Sequence, residues 1–311
     1  MGGMTMATAG SVMTWPQSNE ILQVSEKVFR EKFDKSPFLF EHTLAHNPAF
    51  TMDRLARLLE MTIPHPELLY WDAGKKRVDQ RWNEQPGRDF SVEEAFRRIR
   101  ENDAWIILFG AERDPEIAAL LEQSMQQIES LCGYELFKDV KVRAAYIFIT
   151  APRRVVTYHI DFQCGFLLQL HGDKTLHAFE RTDREVTSEV ELERFWTKDT
   201  NAAIYKPEFE CRAHKWVLRP GLGAHLPVNA PHWLENGDDI SVSLSLNFQF
   251  KNSRLADIYR ANYYLRKLGI EPTPPGVSMW RDRAKACGMT APVAVAKALK
   301  SLKGKKAQSR I

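Results

Sequence analysis

The sequence predicts an α+β protein with a mainly β core, a helical N-terminal part and C-terminal helices. Three observations lead to this fold class. Up to about residue 140, apolar residues recur mostly at the spacing of amphipathic helices. From 141 to 250, short apolar runs separated by turn residues are typical of β-strands. After residue 250 the helical spacing returns.

Length and composition are those of an ordinary globular protein. The 311 residues can form one large domain or two small ones. Hydrophobic residues make up 44% of the chain and charged residues 27%. We expect residues 1–18 to be a disordered lead-in without a signal peptide, and no apolar stretch has the length of a membrane span. The four scattered cysteines predict a reduced, cytoplasmic protein.

Residues 19–140 are expected to form a helical part that packs on the β core. Helical spacing predicts helices over 19–33 and over 51–61. A capping box that begins at Ser91 opens a third helix, and Asp114-Pro115 opens a fourth that ends at Gly133. The apolar run 105–109 between these two helices is typical of a short buried strand.

The β core is predicted over residues 141–250. The strands are expected at 142–149, 155–161, 165–170, 175–180, 215–218 and 240–250. Residues 171–174 have the pattern of a β-hairpin turn, with Gly172 and Asp173 at its centre. A short helix over 188–196 is expected to interrupt the strands.

The last part, residues 251–311, is predicted to consist of helices and a basic tail. An amphipathic helix over 255–268 precedes a proline-rich break, and two further helices follow. From Arg281 onward there are nine basic residues and one acid, so the tail is +8 and the rest of the +3 chain is −5. Because no aromatic residue follows Trp280, the tail offers no base-stacking surface and a nucleic-acid partner is not expected.

The motif His159-Ile160-Asp161, with His232 placed 71 residues after Asp161, carries the chemical prediction. Two imidazoles and one carboxylate are a ligand set of non-haem Fe(II) centres, which keep other coordination positions open. On a strand, His159 and Asp161 would point to the same face. His232 must then come from a distant strand, which suits a closed or sandwiched β core. The sequence therefore predicts an oxygenase in which these three residues are the metal ligands and the catalytic residues.

Other histidines compete for the ligand role. His225 and His214 lie near His232 and stay open as rival ligands, although His225 lacks the proline and the turn that precede His232. His42 and His46 have the spacing of ligands on a helix, but no Glu follows His42 directly and Asn47-Pro48 would end the helix.

Three further histidines are expected to have no metal role. His65 belongs to a second H-x-E/D-type triplet, which is flanked by prolines and is unsuited to a sheet. His171 and His177 flank Lys174 and are expected on a solvated strand face or near the mouth of the site.

Two segments that contain these residues resemble the Jumonji C family of oxygenases within the cupin superfamily. They run from Thr157 to Phe179 and from Pro227 to Phe248. The pattern is similar in particular to the asparaginyl hydroxylases that inhibit hypoxia-inducible factor. In that family a lysine that binds 2-oxoglutarate follows the ligand aspartate by the interval that separates Lys174 from Asp161.

The resemblance implies a double-stranded β-helix (cupin or jelly-roll fold) over residues 141–250. It implies Fe(II) as the metal, and 2-oxoglutarate and O₂ as co-substrates, with release of succinate and CO₂. Lys174, Asn247 and Thr157 are the expected co-substrate-binding residues, since Asn247 falls at the position of a co-substrate asparagine. Related hydroxylases dimerise through C-terminal helices, so a homodimer is expected here.

The chain departs from the family pattern at three positions. Val156 stands where several relatives have a polar residue, and Thr157 is expected to substitute for it. Gly165 replaces an asparagine near the co-substrate, and Leu222 replaces a frequent aspartate. These departures concern co-substrate binding, because all three metal ligands are retained.

The substrate stays open between a protein or peptide and a small molecule, with a preference for a peptidyl or amino-acid side chain. An alternative function is a non-catalytic metal-binding, cupin-like sensor or regulatory protein. Lys174 and Asn247 favour the oxygenase, because a module that only binds metal has no need of a buried lysine.

Overall fold

The computed structural model describes residues 20–81, 84, 89–252 and 254–289. Within these ranges twelve strands form two antiparallel sheets, one of eight strands and one of four. The strands are β1 (Leu22–Gln23), β2 (Phe38–His42), β3 (Leu69–Asp72), β4 (Trp105–Leu108), β5 (Val140–Thr150), β6 (Val155–His159), β7 (Cys164–His171), β8 (Lys174–Ala178), β9 (His214–Leu218), β10 (Leu222–Leu226), β11 (His232–Asn236) and β12 (Ser241–Phe250). Their order is β1-β2-β10-β7-β12-β5-β4-β3 in the larger sheet and β6-β11-β8-β9 in the smaller.

The helices surround the larger sheet and one end of the smaller. They are α1 (Glu26–Lys32), α2 (Met52–Thr62), α3 (Val92–Arg97), α4 (Pro115–Cys132), α5 (Leu136–Asp139), α6 (Glu189–Trp196) and α7 (Arg254–Lys267), and residues 279–289 are also helical. The predicted caps are present, since Ser91, Asp114 and Ser188 each accept a hydrogen bond from a backbone N–H of the first turn. None of the helices in the described ranges is long and apolar enough to cross a membrane.

The N-terminal part contains more strand than the sequence predicts. The helix expected over 19–33 begins only at Glu26, because Ser25 caps it, and Leu22–Gln23 pair with β2 instead. Four strands from this part, β1 to β4, complete the larger sheet, and of these only β4 was predicted. The lead-in at 1–18 and the last predicted helix with most of the basic tail lie outside the described residues.

The predicted hairpin at residues 171–174 is wrong in its pairing. A turn is present, but β7 pairs with β10 and β12, whereas β8 pairs with β11 and β9. Gly172 has a φ of +61°, and a Cβ atom there would clash with the Ile240 carbonyl oxygen. The turn therefore carries the chain from one sheet to the other, and local turn chemistry does not specify which sheet receives the next strand.

Because side chains point alternately to the two faces of each strand, the larger sheet has an apolar layer on each face and a cavity on one of them. On β12, Leu244, Leu246 and Phe248 pack in the main core beneath the N-terminal helices. Ser245 and Asn247 point to the opposite face, towards the smaller sheet, and line the cavity between the sheets. A second apolar cluster that includes Leu167 on β7 and Leu176 on β8 joins the two sheets. The larger sheet is thus buried on both faces, and the cavity lies within the fold.

Candidate metal centre and its cavity

Three side chains converge at the open end of the cavity. His159 at the end of β6 faces His232 at the start of β11, and the two residues are cross-strand partners. Their rings are 4.2 Å apart between centroids, and His232 Nε2 lies 3.7 Å from Asp161 Oδ2. One potential ligand atom from each of the three residues lies within 4.8 Å of the others. This arrangement can hold a metal ion, as the sequence predicts, while the role of the three residues as ligands stays a prediction.

The backbone fixes the orientation of both imidazoles. His159 Nδ1 lies 2.7 Å from the Thr157 carbonyl oxygen, and His232 Nδ1 lies 2.9 Å from the Ala230 carbonyl oxygen. Since a carbonyl only accepts, each Nδ1 carries the proton and donates it. Each Nε2 then has its lone pair free, which is the form that binds a metal.

Burial also favours the neutral form of His232. Burial and the neighbouring His159 imidazole lower the pKa of His232 to about 4, although Asp161 opposes the shift. At neutral pH this ring carries no proton that a metal would have to displace. The side chain of Asp161, in contrast, is 53% exposed and marks the side from which the centre is reached.

The cavity behind this centre has a volume of about 260 Å³ and is bounded by both sheets. It brings together all six residues that the sequence predicts for the site. They are His159, Asp161, His232, Lys174, Asn247 and Thr157. Their placement around one cavity is an observation, and their functions stay predictions.

Lys174 is the charged group of the cavity floor. It opens β8, is only 3% exposed, and forms no ion pair within the described part of the chain, which includes every Asp and Glu. Burial lowers the pKa of its ammonium group to about 7. A buried lysine without a carboxylate is costly unless a ligand supplies the negative charge.

Two more polar groups of the same cavity lack a partner. The hydroxyl of Thr150 and the indole N–H of Trp105 are buried and form no hydrogen bond to any described residue. The two residues are cross-strand partners on β4 and β5. Most buried polar groups in proteins are hydrogen-bonded, so two such exceptions in a cavity that also contains a buried lysine indicate a site for an oxygen-rich anion.

Asn247 occupies space that a neighbouring glycine provides. Its cross-strand partner on β7 is Gly165, where a Cβ atom would lie 3.0 Å from Asn247 Oδ1. The Asn247 amide donates to the Ser245 carbonyl and hydroxyl oxygens at 3.2 and 3.0 Å. The departure at Gly165 therefore admits the Asn247 side chain into the cavity.

The mouth of the cavity has an aromatic rim. The Tyr146 hydroxyl donates to Gln163 Oε1 over 3.2 Å, and its ring meets the edge of Phe109 at 5.0 Å. Phe162 stacks on Phe195 with centroids 3.9 Å apart. These five residues form the aromatic rim, and all of them line the cavity.

The two histidines that compete with His232 for the ligand role lie away from the candidate metal centre. His225 is buried among phenylalanine rings, accepts from the Asp34 N–H at Nε2 and donates from Nδ1 to the Gly165 carbonyl. His214 contacts Glu180 at 3.0 Å on the outer strand β9. Both therefore lie outside the three-residue group that could hold a metal.

The remaining histidines have structural surroundings. His42 accepts from the Leu44 N–H, and His46 ends a short 3-10 helix, so the two share no helix face. His65 is exposed beside Glu67. His171 donates to the Phe50 carbonyl oxygen.

The sequence predicts His177 on a solvated strand face or near the mouth of the site. Its side chain is instead only 3% exposed, so it does not lie on a solvated face. Its ring stacks on Trp233 and hydrogen-bonds to Glu210.

Sequence reasoning missed Thr150 and Trp105 among the residues that line the cavity. Thr150 and Trp105 belong to strands whose cavity-facing side depends on pairing between β4 and β5. The only local signal was alternation, since Trp105, Ile107 and Phe109 line the cavity while Ile106 and Leu108 join the main core.

The two facing sheets, with a His/Asp/His group in the cavity between them, have the architecture of the predicted double-stranded β-helix. No protein-family model matches the chain, and no curated protein sequence matches it. Solved structures of the ribosomal oxygenase YcfD from Escherichia coli do match its fold. One X-ray structure of YcfD has a TM-score of 0.50 and 14% sequence identity, and the match covers 88% of this chain and 68% of that chain.

A second YcfD structure, in complex with cobalt and 2-oxoglutarate, has a TM-score of 0.50 and 16% identity, and covers 88% of this chain and 67% of that chain. At such low identity the likeness concerns the fold. The α+β fold with a mainly β core, which the sequence predicts, is thereby confirmed.

Proposed function

We propose that this protein is an Fe(II)- and 2-oxoglutarate-dependent oxygenase that hydroxylates its substrate and releases succinate and CO₂. One observation carries the proposal: a single cavity has a His/Asp/His group at its mouth and, in its floor, a buried lysine that forms no ion pair with any described residue. The YcfD complex with cobalt and 2-oxoglutarate, where cobalt stands in for iron, supports the same pairing of metal and co-substrate in this fold.

The metal would be held by His159 Nε2, His232 Nε2 and one carboxylate oxygen of Asp161. Both imidazoles are already in the required tautomer, so metal binding needs no rearrangement of their hydrogen bonds. Iron bound there would supply the oxidation that couples decarboxylation of 2-oxoglutarate to hydroxylation of a C–H bond. The open side at Asp161 leaves room for the substrate to approach.

The floor would hold the distal carboxylate of 2-oxoglutarate. The Lys174 ammonium group would pair with it, and the Thr150 hydroxyl and the Trp105 indole N–H would donate to its oxygens. These groups have lost their water on folding, so their contacts to the anion are stronger than at a surface. Asn247 and Thr157, which line the same cavity, would orient the rest of the co-substrate.

The rim would separate the reacting centre from water. Phe109, Phe162 and Phe195 present aromatic rings at the mouth, and the hydrogen bond between Tyr146 and Gln163 closes the gap between them. Exclusion of water protects a reactive centre and strengthens the polar contacts within it.

The test is the formation of succinate from 2-oxoglutarate by the purified protein under air. We expect turnover that requires added Fe(II) and is lost in His159→Ala and Asp161→Ala. Tight metal binding without any turnover would instead support the non-catalytic sensor. Turnover that persists in Asp161→Ala would refute the ligand set.

We also infer that the protein forms a homodimer through its C-terminal helices. The part after β12 exposes six apolar side chains, more than half accessible each, namely Tyr264, Leu268, Ile270, Val277, Met279 and Trp280. Light scattering should give twice the 35.8 kDa chain mass, and a monomer would contradict the inference.

A cytoplasmic location is part of the same proposal. It is supported by the absence of disulfide bonds within the described ranges, which include all four cysteines.

A further inference from the structure

The floor of the metal cavity surrounds Lys174 with an environment that disfavours its charge. The side chain is 3% exposed, and it forms no ion pair with any described Asp or Glu. Among the described residues that line this cavity, Asp161 at the mouth is the one acid. Burial therefore acts on the ammonium group without a carboxylate to offset it.

The amount of uncharged amine at Lys174 follows from this burial. Because burial lowers the pKa of Lys174 to about 7, about half of these side chains are uncharged at neutral pH. An exposed lysine, with a pKa of about 10.4, is uncharged in roughly one molecule in two thousand. The floor therefore presents a nucleophilic amine that the surface lysines do not.

The same floor contains two donors without an acceptor, the Thr150 hydroxyl and the Trp105 indole N–H. Phe148 and Thr150 line the cavity, whereas Ile149 between them packs in the main core, so the Thr150 side chain lies on the cavity face of β5. Trp105 is the cross-strand partner of Thr150, and paired residues lie on the same face of a sheet. Both donors therefore lie on the face that borders the cavity of Lys174.

An uncharged amine in a cavity with free donors matches the reaction of an amine with CO₂. The product is a carbamate, which is a carboxylate bonded directly to the amine nitrogen. CO₂ is small and uncharged, so it enters a buried cavity of about 260 Å³ without the cost of removing water from an ion. A carboxylate attached to Lys174 supplies the acceptor that the two donors lack.

We propose that Lys174 is a carbamylation site, at which CO₂ adds to the amine and the resulting carbamate accepts hydrogen bonds from Thr150 and Trp105. The nitrogen lone pair forms the new N–C bond, one C=O electron pair of CO₂ moves onto oxygen, and the amine releases one proton to solvent. No oxidant or reductant takes part. The floor changes from a cation without a counter-ion to an anion with two hydrogen-bond donors.

The carbamate controls the access of 2-oxoglutarate to the same floor. It uses the donors proposed above for the distal carboxylate, and it places a negative charge where Lys174 supplies a positive one. CO₂ and 2-oxoglutarate therefore exclude each other, and CO₂ released by turnover inhibits the enzyme that forms it. This control rests on the oxygenase function proposed above, whereas formation of the carbamate does not.

The experiment traps the carbamate on the full chain without metal or 2-oxoglutarate. The protein is equilibrated with isotopically labelled bicarbonate, treated with triethyloxonium to convert carbamates into ethyl esters, and mapped by peptide mass spectrometry. We expect the label on Lys174 and not on the exposed Lys215. The terminal α-amino group also reacts with CO₂, but it lies on a different peptide. Bicarbonate held without a covalent bond would leave Lys174 unmodified and overturn the proposal.

A second variant tests whether the floor holds the carbamate, beyond the reactivity of the amine. Thr150→Val keeps Lys174 and removes one donor, so the CO₂ concentration that half-fills the site should rise about fivefold to tenfold. Carbon NMR measures the occupancy, and Lys174→Met identifies the signal of this site. Thr175→Val, on the opposite face of β8, is the matched control and should behave as the wild type. An unchanged half-filling concentration in Thr150→Val would also overturn the proposal.

Competition with 2-oxoglutarate separates this inference from the oxygenase function. The dissociation constant of 2-oxoglutarate should double at the CO₂ concentration that half-fills Lys174, and saturating 2-oxoglutarate should abolish the trapping. Trapping at Lys174 in a protein that never forms succinate would keep the carbamate and remove the oxygenase function. Succinate formation by a protein whose Lys174 is never trapped would keep the oxygenase and remove the carbamate.

Discussion

The two ends of the cavity between the sheets differ in whether their polar groups have hydrogen-bond partners within the protein. At the mouth, His159 and His232 each donate Nδ1–H to a backbone carbonyl, and Asp161 is half exposed to solvent. In the floor, Lys174 is buried and forms no ion pair, and the buried Thr150 hydroxyl and Trp105 indole N–H form no hydrogen bond, among the described residues. The imidazole N–H groups at the mouth thus have their hydrogen bonds without a metal, whereas the donors in the floor gain a partner only when an anion is bound. Ligand-binding residues can therefore be recognised in the floor from unmet hydrogen bonds, and at the mouth only from the convergence of donor atoms.

The largest effect is expected from removal of a ligand at the mouth. His232→Ala leaves two donor atoms, too few to retain Fe(II), and should abolish both metal binding and succinate formation. Metal content after dialysis and succinate release measure the two losses. His65→Ala, a change at an exposed histidine, is the control and should behave as the wild type. Full metal content in His232→Ala would show that the mouth is not the metal centre.

The next largest effect is expected in the floor. Lys174→Met should raise the dissociation constant of 2-oxoglutarate about 100-fold, because a buried charge partner is lost, while Fe(II) binding stays intact. The same variant should melt at a higher temperature than the ligand-free wild type, since an unpaired buried charge is removed.

Lys215→Met, on the exposed side of the neighbouring strand β9, is the control for both measurements. A Lys174→Met protein that binds 2-oxoglutarate normally would remove the distinction between the two ends of the cavity.

A smaller effect is expected at the two uncharged groups of the floor. Thr150→Val removes one donor and keeps the side-chain shape, and Trp105→Phe removes one donor and keeps an aromatic ring, so each should raise the 2-oxoglutarate dissociation constant about fivefold to tenfold. Isothermal titration measures these changes. Thr175→Val, next to Lys174 but on the opposite face of β8, should have no effect.

The smallest effect is a shift in protonation. Burial lowers the pKa of Lys174 from 10.5 to about 7, so between these values the unfolded chain binds more protons and stability rises with pH through this group. A bound carboxylate restores the charged form. Binding of 2-oxoglutarate at pH about 8 should therefore take up protons, as calorimetry in buffers of different ionisation enthalpy would show, and Lys174→Met should not take them up.

The sequence predicts the metal-binding mouth and the lysine of the floor better than the two uncharged donors of the floor. His159, Asp161 and Lys174 lie within one short segment, and a motif with fixed spacing is sufficient to find them. Thr150 and Trp105 come together only through pairing of β4 with β5, which single-sequence patterns do not specify.

The errors in the fold have the same origin. β1, β2, β3, β10 and β11 were not predicted, because strands of two to five residues are too short for a clear alternation of apolar and polar residues. The turn at Gly172 was recognised, but the transfer of β8 to the second sheet depends on contacts far away in the sequence. Helices with local caps, such as α4 and α6, were predicted closely for the opposite reason.

The most direct measurement is an anaerobic titration of the protein with Fe(II) and 2-oxoglutarate, followed by visible absorption. If one cavity holds the metal at His159, Asp161 and His232 and the dicarboxylate at Lys174, a charge-transfer band should grow only when both ligands are present. The band should require far more 2-oxoglutarate in Lys174→Met. A wild-type protein that binds Fe(II) and shows no band at saturating 2-oxoglutarate would contradict the account.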